Sequence, residues 1–170
     1  MTEQVTATAT QPELEKTRGG KYLSFFLKDE EYGIEILKVQ EIIGMLPITR
    51  VPRTPEFVKG VINLRGKIIP VTDLRSRFGM DEREITAETC TIVVQTVGLE
   101  IGVIVDKVSE VLDISDDEIE EVPSFGTDVS TDYLLGIGNT NDKVRLLLDI
   151  DRILSTEEAG DLQAATAAIA

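Results

Sequence analysis

The stretch GIEILKVQEI, residues 33–42, recurs as GVIVDKVSEV at residues 102–111, a constant shift of 69 positions. A second stretch, VKGVINLRGKIIPVTDL at 58–74, aligns with residues 134–150 at a shift of 76, which keeps a glycine, an asparagine, a lysine and an aspartate in step. Two blocks repeated in the same order predict two copies of one small unit. Chance recurrence of strand and turn patterns is the alternative, because Gly and Val are common residues.

The repeated unit has the sequence pattern of β-structure. From Lys21 onward, short β-branched or alternating apolar runs are separated by Gly, Pro, Asn and Asp. Many such runs at roughly 8 to 12 residue spacing are typical of barrels and sandwiches built mainly of strands. The chain is therefore expected to be mainly β, with each copy of the repeat forming one small barrel.

The chain divides into five predicted segments. Residues 1–20 show no helical or strand period and are expected to be a disordered tail. The first barrel subdomain is expected at 21–79, and the polar stretch 80–88 is expected to be a connector. The second subdomain follows at 89–155, and exchange of strands between the two is left open. Residues 156–170 are expected to form a helical or frayed tail.

Two short segments have helical features. Residues 37–43 place apolar side chains as one or two helical turns would, but a strand fits them as well. Ser115 and Glu118 form a capping-box pattern, which predicts a short helix beginning after Ser115. Pro123 is expected to end that helix.

Composition argues against several classes of function. Histidine is absent, and 17 Lys and Arg stand against 31 Asp and Glu, for a net charge of −14. Nucleic acids and anionic lipid surfaces attract clustered positive charge, so neither is an expected partner. The usual acid–base group and the commonest metal ligand are missing, so no catalytic residue, metal or cofactor is predicted.

The sequence also gives expectations about location. No run of about 18 apolar residues is present for a membrane span, and the first 20 residues lack the apolar segment of a secretory signal. A cytoplasmic protein is therefore expected. The single cysteine, Cys90, lies in an apolar run and is expected to be a buried thiol.

Arg65 lies in the predicted turn of the 58–74 hairpin. It could be a solvated turn residue, part of a phosphate loop, a catalytic cation or a contact for a partner. The phosphate loop fails on spacing, because five residues separate Gly60 from Gly66 where that motif has four, and Ile68 replaces its Ser or Thr. The lack of histidine weakens the catalytic option. A solvated residue and a partner contact remain.

Three blocks carry a resemblance to a known family. YGIEILKVQEI at 32–42, TPEFVKGVINLRGKIIPVTDLR at 54–75 and VGLEIGVIVDKVSEVL at 97–112 closely resemble the bacterial chemotaxis coupling proteins of the CheW family. The resemblance runs in order from about Tyr22 to about Ser155. It implies two small five-stranded β-barrels packed together and no catalytic activity. The short helices and a C-terminal helix after Asp151 are expected from the residues themselves.

The resemblance also implies partners. Such a protein is an adaptor that joins the regulatory domain of the histidine kinase CheA to the cytoplasmic tips of chemoreceptors, the methyl-accepting chemotaxis proteins. It is cytoplasmic and associates with the membrane only through receptor arrays. A CheW-like adaptor of another receptor–kinase pathway, such as surface motility, is the alternative. A fragment of the kinase itself is disfavoured by the 170-residue length and the missing phosphorylatable histidine.

Site residues follow from the resemblance position by position. Five positions match residues associated with receptor coupling in the family: Val39, Glu41, Gly60, Arg65 and Val111. Phe125 matches a candidate contact with the kinase regulatory domain. From the residues alone, Val39 and Val111 are expected to be core residues and Glu41 a solvated charge.

Two hypotheses connect these positions. In the first, Val39 and Val111 are exposed along an apolar groove between the barrels, which takes one face of a receptor helix. In the second, Glu41 pairs with Arg65 and holds the hairpin tip against the short helix, since a guanidinium can bind a carboxylate with two parallel hydrogen bonds.

Overall fold

The computed structural model describes residues 18–52, 54, 57–81, 84–96, 98–121 and 133–153. Within these ranges the strands are β1 (Gly20–Leu27), β2 (Glu30–Glu35), β3 (Val39–Gly44), β4 (Val58–Leu64), β5 (Lys67–Asp73), β6 (Cys90–Thr96), β7 (Leu99–Val105), β8 (Lys107–Ile114), β9 (Ile119–Glu120), β10 (Leu134–Thr140) and β11 (Lys143–Leu148). The helical segments are the α-helix α1 (Leu74–Arg77) and 3-10 turns at Ile36–Lys38, Asp116–Glu118 and Ile150–Arg152. The mainly-β prediction is confirmed.

The strands form two sheets. Sheet A has the order β8-β1-β2-β11-β10-β9, and sheet B has the order β3-β6-β7-β5-β4. The end strands of each order do not hydrogen-bond to each other in the described part of the chain, so each unit is a curled, open sheet rather than a closed barrel. The predicted C-terminal helix, the tail 156–170 and most of the tail 1–20 lie outside the described residues.

The two sheets are built alike. The order β3-β6-β7-β5-β4 becomes β8-β1-β2-β11-β10 when each strand is replaced by its counterpart in the other copy. The parallel pairing agrees in register as well: Val71 pairs with Gly102 in sheet B, and Leu147 pairs with Gly33 in sheet A. These pairs are related by the shifts of 76 and 69 found in the sequence. The repeat is therefore a structural duplication, and β9 is an addition in the second copy.

Each sheet takes strands from both copies of the repeat. Sheet B is one continuous stretch, β3 to β7, whereas sheet A joins β1 and β2 to β8–β11. The chain passes between the sheets at Ile36–Lys38 and again at Asp106. The predicted ranges 21–79 and 89–155 thus follow the copies, while the sheets divide the chain elsewhere. Apolar patterning identifies strands but does not specify which distant strand each one pairs with.

The main apolar core lies between the sheets. Alternate residues of β1, among them Leu23, Phe25 and Leu27, are buried in it, because successive side chains of a strand point to opposite faces. The opposite face of β1 carries Tyr22, which packs in a small cluster on the inner side of sheet A. Sheet B has its own inner cluster, which includes Ile62, Ile69, Val71, Val93 and Ile104.

The two segments with helical features in the sequence are mainly strands and short 3-10 turns in the structure. Of residues 37–43, only the first two are helical, as the end of the 3-10 turn Ile36–Lys38, and the chain continues as β3. The capping box at Ser115 and Glu118 is present, and it begins a 3-10 turn that leads into β9. Pro123 lies outside the described residues.

The hairpin prediction for residues 58–74 is confirmed. Arg65 and Gly66 have φ values of 53° and 87°, and Asn141 and Asp142, their counterparts in β10–β11, have 51° and 63°. Two consecutive positive φ angles are what a tight two-residue hairpin requires. The Asn63 side chain supports the first turn by accepting a 2.8 Å hydrogen bond from the Gly66 amide.

Candidate interaction surface

The predicted coupling residues Val39, Glu41 and Val111 lie on free sheet edges. β3 carries Val39 and Glu41 and is the end strand of sheet B, and β8 carries Val111 and is the end strand of sheet A. Strand edges present side chains and unpaired backbone groups to a partner. The two strands are counterparts in the repeat, so the surface is duplicated along with the fold.

Glu41 and Arg65 form the predicted ion pair. Arg65 Nη1 donates to Glu41 Oε2 at 3.1 Å, and Arg65 Nη2 donates to Glu41 Oε1, which makes the contact bidentate. Hydrogen bonding from Arg65 lowers the pKa of Glu41, so the carboxylate is ionised at neutral pH. The Arg65 side chain is 68% exposed, so this pair contributes mainly orientation rather than stability.

The ion pair spans the opening of sheet B, which is the gap between its end strands β3 and β4. Glu41 is on β3 at one end of the sheet order, and Arg65 is in the turn of the hairpin at the other end. Ile43, two residues along β3, packs on the inner cluster of sheet B, so Glu41 extends from the same face. The prediction that the pair holds the hairpin tip against a short helix is wrong in one respect, because Glu41 lies in a strand.

Arg65 has an unusual backbone conformation. Its φ of 53° lies in the left-handed region, which Gly, Asn and Asp adopt more readily than Arg. The counterpart turn has Asn141 at this position. Lys28, in the turn between β1 and β2, has a similar φ of 57°, so the role of Arg65 rests on the pair its side chain forms with Glu41 rather than on its backbone.

Gly60 has a clear packing role. It is buried with a φ of 145°, and a Cβ atom there would lie 2.1 Å from the carbonyl oxygen of Thr49. Thr49 exchanges two backbone hydrogen bonds with Val61, at 2.9 and 2.8 Å. Gly60 therefore allows the chain before β4 to lie against the strand, and it shapes the surface without needing to touch a partner.

The two valines differ in burial. Val39 is half-buried and packs against the core between the sheets, while Val111 is 50% exposed. By the repeat, the counterpart of Val111 is Ile42, which is 45% exposed on β3. Sequence reasoning missed Ile42, although the shift of 69 residues would have paired it with Val111. Val39 and Val111 lie on the edge strands of different sheets. The expected apolar groove that joins them stays a prediction.

The remaining predicted site residue, Phe125, lies outside the described residues, in the range 122–132. Its assignment to kinase binding stays a prediction. Cys90, expected to be buried, is partly buried, and burial raises the pKa of its thiol.

Other features of the described chain bear on chemistry. No group of three or more His, Cys, Asp or Glu residues in the described ranges is arranged to hold a metal ion. A cavity of about 640 Å³ is lined largely by charged and polar side chains, including Arg75 and Asp106, which bond to each other. No helix among the described residues is long and apolar enough to cross a membrane.

Two curled sheets from a duplicated unit, with charged and apolar side chains on their free edges, define a mainly-β module of the kind that binds other proteins. The family model described as CheW-like domain matches residues 21–158. The chain belongs to this family.

Relatives and a solved structure agree with this assignment. The chain is 43% identical to the chemotaxis protein CheW of Klebsiella aerogenes over 143 residues, which covers 84% of this chain and 86% of that protein. It is 30% identical over 138 residues to the protein FrzA of Myxococcus xanthus, covering 80% and 86%. The crystal structure of the scaffolding protein TtCheW from Thermoanaerobacter tengcongensis is similar, with a TM-score of 0.75 and 38% identity over 82% of this chain and 95% of that one.

Proposed function

We propose that this protein is a chemotaxis adaptor that couples the cytoplasmic tips of chemoreceptors to the regulatory domain of the histidine kinase CheA. The observation that carries the proposal is the bidentate Glu41–Arg65 pair across the opening of sheet B, in a chain of the CheW-like family. The adaptor acts without catalysis or a cofactor, in the cytoplasm, and it reaches the membrane only through receptor arrays.

The coupling surface works by holding side chains in fixed positions. Glu41 and Arg65 orient each other, so the hairpin tip stays close to the free edge of β3. Ile42 and Val111 are the exposed apolar side chains at equivalent places on the two edges. A receptor helix docking there would gain free energy by covering apolar area, and the charged pair would fix its orientation.

The test is a pull-down with receptor and kinase fragments, each alone and both together. The wild-type chain should retain each fragment and should retain more of both when they are combined. Arg65→Glu and Glu41→Arg should each reduce receptor retention, and the double variant should recover part of the loss, since the pair is restored with reversed charges. Loss of kinase retention is not expected from these variants.

A matched control is available in the same hairpin. Lys67 forms an ion pair with Glu100 and is 66% exposed, close to the value for Arg65. Lys67→Glu makes the same change of charge beside the proposed surface and should leave receptor retention unchanged. Equal losses from Lys67→Glu and Arg65→Glu would show a general charge effect and contradict the assigned role of Arg65.

A second candidate is an adaptor of another receptor–kinase pathway, such as surface motility. The similarity to the protein FrzA of Myxococcus xanthus favours it, though at 30% identity rather than 43%. Identifying the receptor and kinase that co-purify with the chain from its own cells distinguishes the two. Phe125→Ala tests the proposed kinase contact, with kinase retention reduced and receptor retention kept.

A further inference from the structure

A cluster of charged and polar side chains lies on the inner side of sheet A. The Arg145 guanidinium is only 3% exposed and donates from Nε to Glu31 Oε2 at 2.8 Å. Its Nη1 donates to the Thr140 hydroxyl at 3.0 Å, and its Nη2 lies 3.6 Å from Glu110 Oε2. Ser24 donates to the same Glu31 oxygen. Arg145 is thus held by two strands of the sheet and reaches a third, β8.

The fold does not require this cluster. In sheet B the counterparts of Arg145, Thr140 and Ser24 are Ile69, Leu64 and Val93, and these three pack in the apolar inner cluster of that sheet. The counterpart of Glu31 is Glu100, which pairs with the exposed Lys67, so the buried arginine is what sheet A adds. Burying a guanidinium and a carboxylate costs desolvation free energy that an apolar cluster does not. Filling the sheet therefore does not account for the buried arginine.

The repeat relates this cluster to the Glu41–Arg65 pair of sheet B. Glu110 is the counterpart of Glu41, and each glutamate lies on the free edge strand of its sheet. Each also forms an ion pair with an arginine of the hairpin across that sheet, Arg65 in the turn of one hairpin and Arg145 in a strand of the other. The two arginines are not counterparts in the repeat. An ion pair between the edge strand and the opposite hairpin is therefore formed in both sheets, but from different positions of the hairpin.

Both glutamates sit at irregularities in strand pairing. In β3 the register shifts between Val39 and Glu41, and in β8 an extra residue is inserted between Val108 and Val111, next to Glu110. A bulge interrupts the hydrogen-bond ladder and bends the strand. An edge strand with a bulge is held less firmly by its backbone, so a side-chain link at that point has a larger effect on its position.

We infer that Glu110 is a positioning residue for receptor coupling: its pair with the buried Arg145 holds the bulged edge strand β8 across sheet A and so fixes Val111. The inference rests on the proposed function. Glu110 itself is 56% exposed, so it can be changed without emptying the core. Ion pairs of this exposure shift an equilibrium by up to about fivefold.

The test compares Glu110→Lys with Asp113→Lys. Asp113 lies on the same strand, is exposed, and pairs with Lys21 at 3.0 Å, so both variants reverse one negative charge on β8. Glu110→Lys should weaken binding of a receptor fragment by about fivefold and speed amide hydrogen exchange of β8 by a similar factor. Binding of the kinase fragment and the Tm should match those of Asp113→Lys.

The results separate the inference from the proposed function. Receptor affinity and β8 exchange within twofold of the Asp113→Lys values would overturn the inference. A large fall in Tm for Glu110→Lys alone would also overturn it, since the residue would then act on overall stability. If the wild-type chain binds neither receptor nor kinase fragment, the proposed function fails, and so does the part of the inference about coupling.

Discussion

Replacing Gly60 by alanine tests whether this residue acts through packing rather than through contact with a partner. The added Cβ would lie 2.1 Å from Thr49 O and 2.7 Å from Thr49 C, both backbone atoms, and 2.9 Å from Ile48 Cγ2. Backbone atoms cannot rotate away as a side chain can. The segment before β4 would have to move, which would break the two hydrogen bonds between Thr49 and Val61.

The size of the effect follows from two terms. A non-glycine residue held at a φ of 145° costs about 1 to 3 kcal/mol. Forcing an extra carbon into a packed site costs about 1 to 3 kcal/mol more, less whatever the segment recovers by moving. We expect Gly60→Ala to lower the free energy of unfolding by about 2 to 5 kcal/mol. At about 2 to 4 °C per kcal/mol, the Tm should fall by about 4 to 20 °C.

Equilibrium unfolding in urea and thermal melting measure this change directly. Gly44→Ala is the matched control, because Gly44 lies in β3 and a Cβ there would meet nothing within 4 Å. It should unfold close to wild type. A Gly60→Ala protein with a wild-type Tm but no receptor binding would refute the packing argument and make Gly60 a direct contact.

Two further predictions concern charged groups away from the coupling surface. Asp106→Ala should lower the free energy of unfolding by about 2 to 3 kcal/mol in urea titrations, because it removes the carboxylate that pairs with the largely buried guanidinium of Arg75. The control Asp113→Ala removes an exposed carboxylate on β8 and should change the free energy of unfolding by less than about 1 kcal/mol. Equal effects of the two variants would contradict this explanation. Glu35→Gln should raise the Tm at neutral pH. Burial raises the pKa of Glu35, so protonation of this carboxyl favours the folded state. That contribution to the free energy of unfolding is lost as the pH rises through the folded-state pKa. The gain should vanish below about pH 4, where the carboxyl is protonated in both states, and a constant gain at all pH values would show a cause other than ionisation.

Local features of this protein could be predicted from its sequence. The alternation of apolar residues and the turn residues of the 58–74 stretch predicted a hairpin with Arg65 in its turn, and the backbone has that form. The repeat predicted that β4–β5 and β10–β11 are counterparts, and they share a register shift at the same place. The pairing of Glu41 with Arg65 was also predicted, because the family resemblance singled out both residues and their charges are opposite.

Features set by distant contacts could not be predicted in this way. The burial of Gly60 against Thr49 depends on where the chain before β4 returns to the sheet. The charged cluster around Arg145 depends on the curl of sheet A, which brings β11 close enough to β8 for an ion pair. No local pattern in the sequence marks either contact.

By itself, the sequence determined the mainly-β class, the duplication, the hairpin turns and the family to which the chain belongs. These features can be read along the chain: the alternation of apolar residues in a strand, the turn residues that accept positive φ, and the order of similar blocks repeated at constant shifts. Only the tertiary structure decided that the two copies exchange strands, so that β3 pairs with β6 and β8 with β1. The reason is physical, because each strand edge must find hydrogen-bond partners and each apolar face a covering layer, and several strands of similar pattern can supply both. The positions of Glu41 and Glu110 on the free edges follow from that choice of partners.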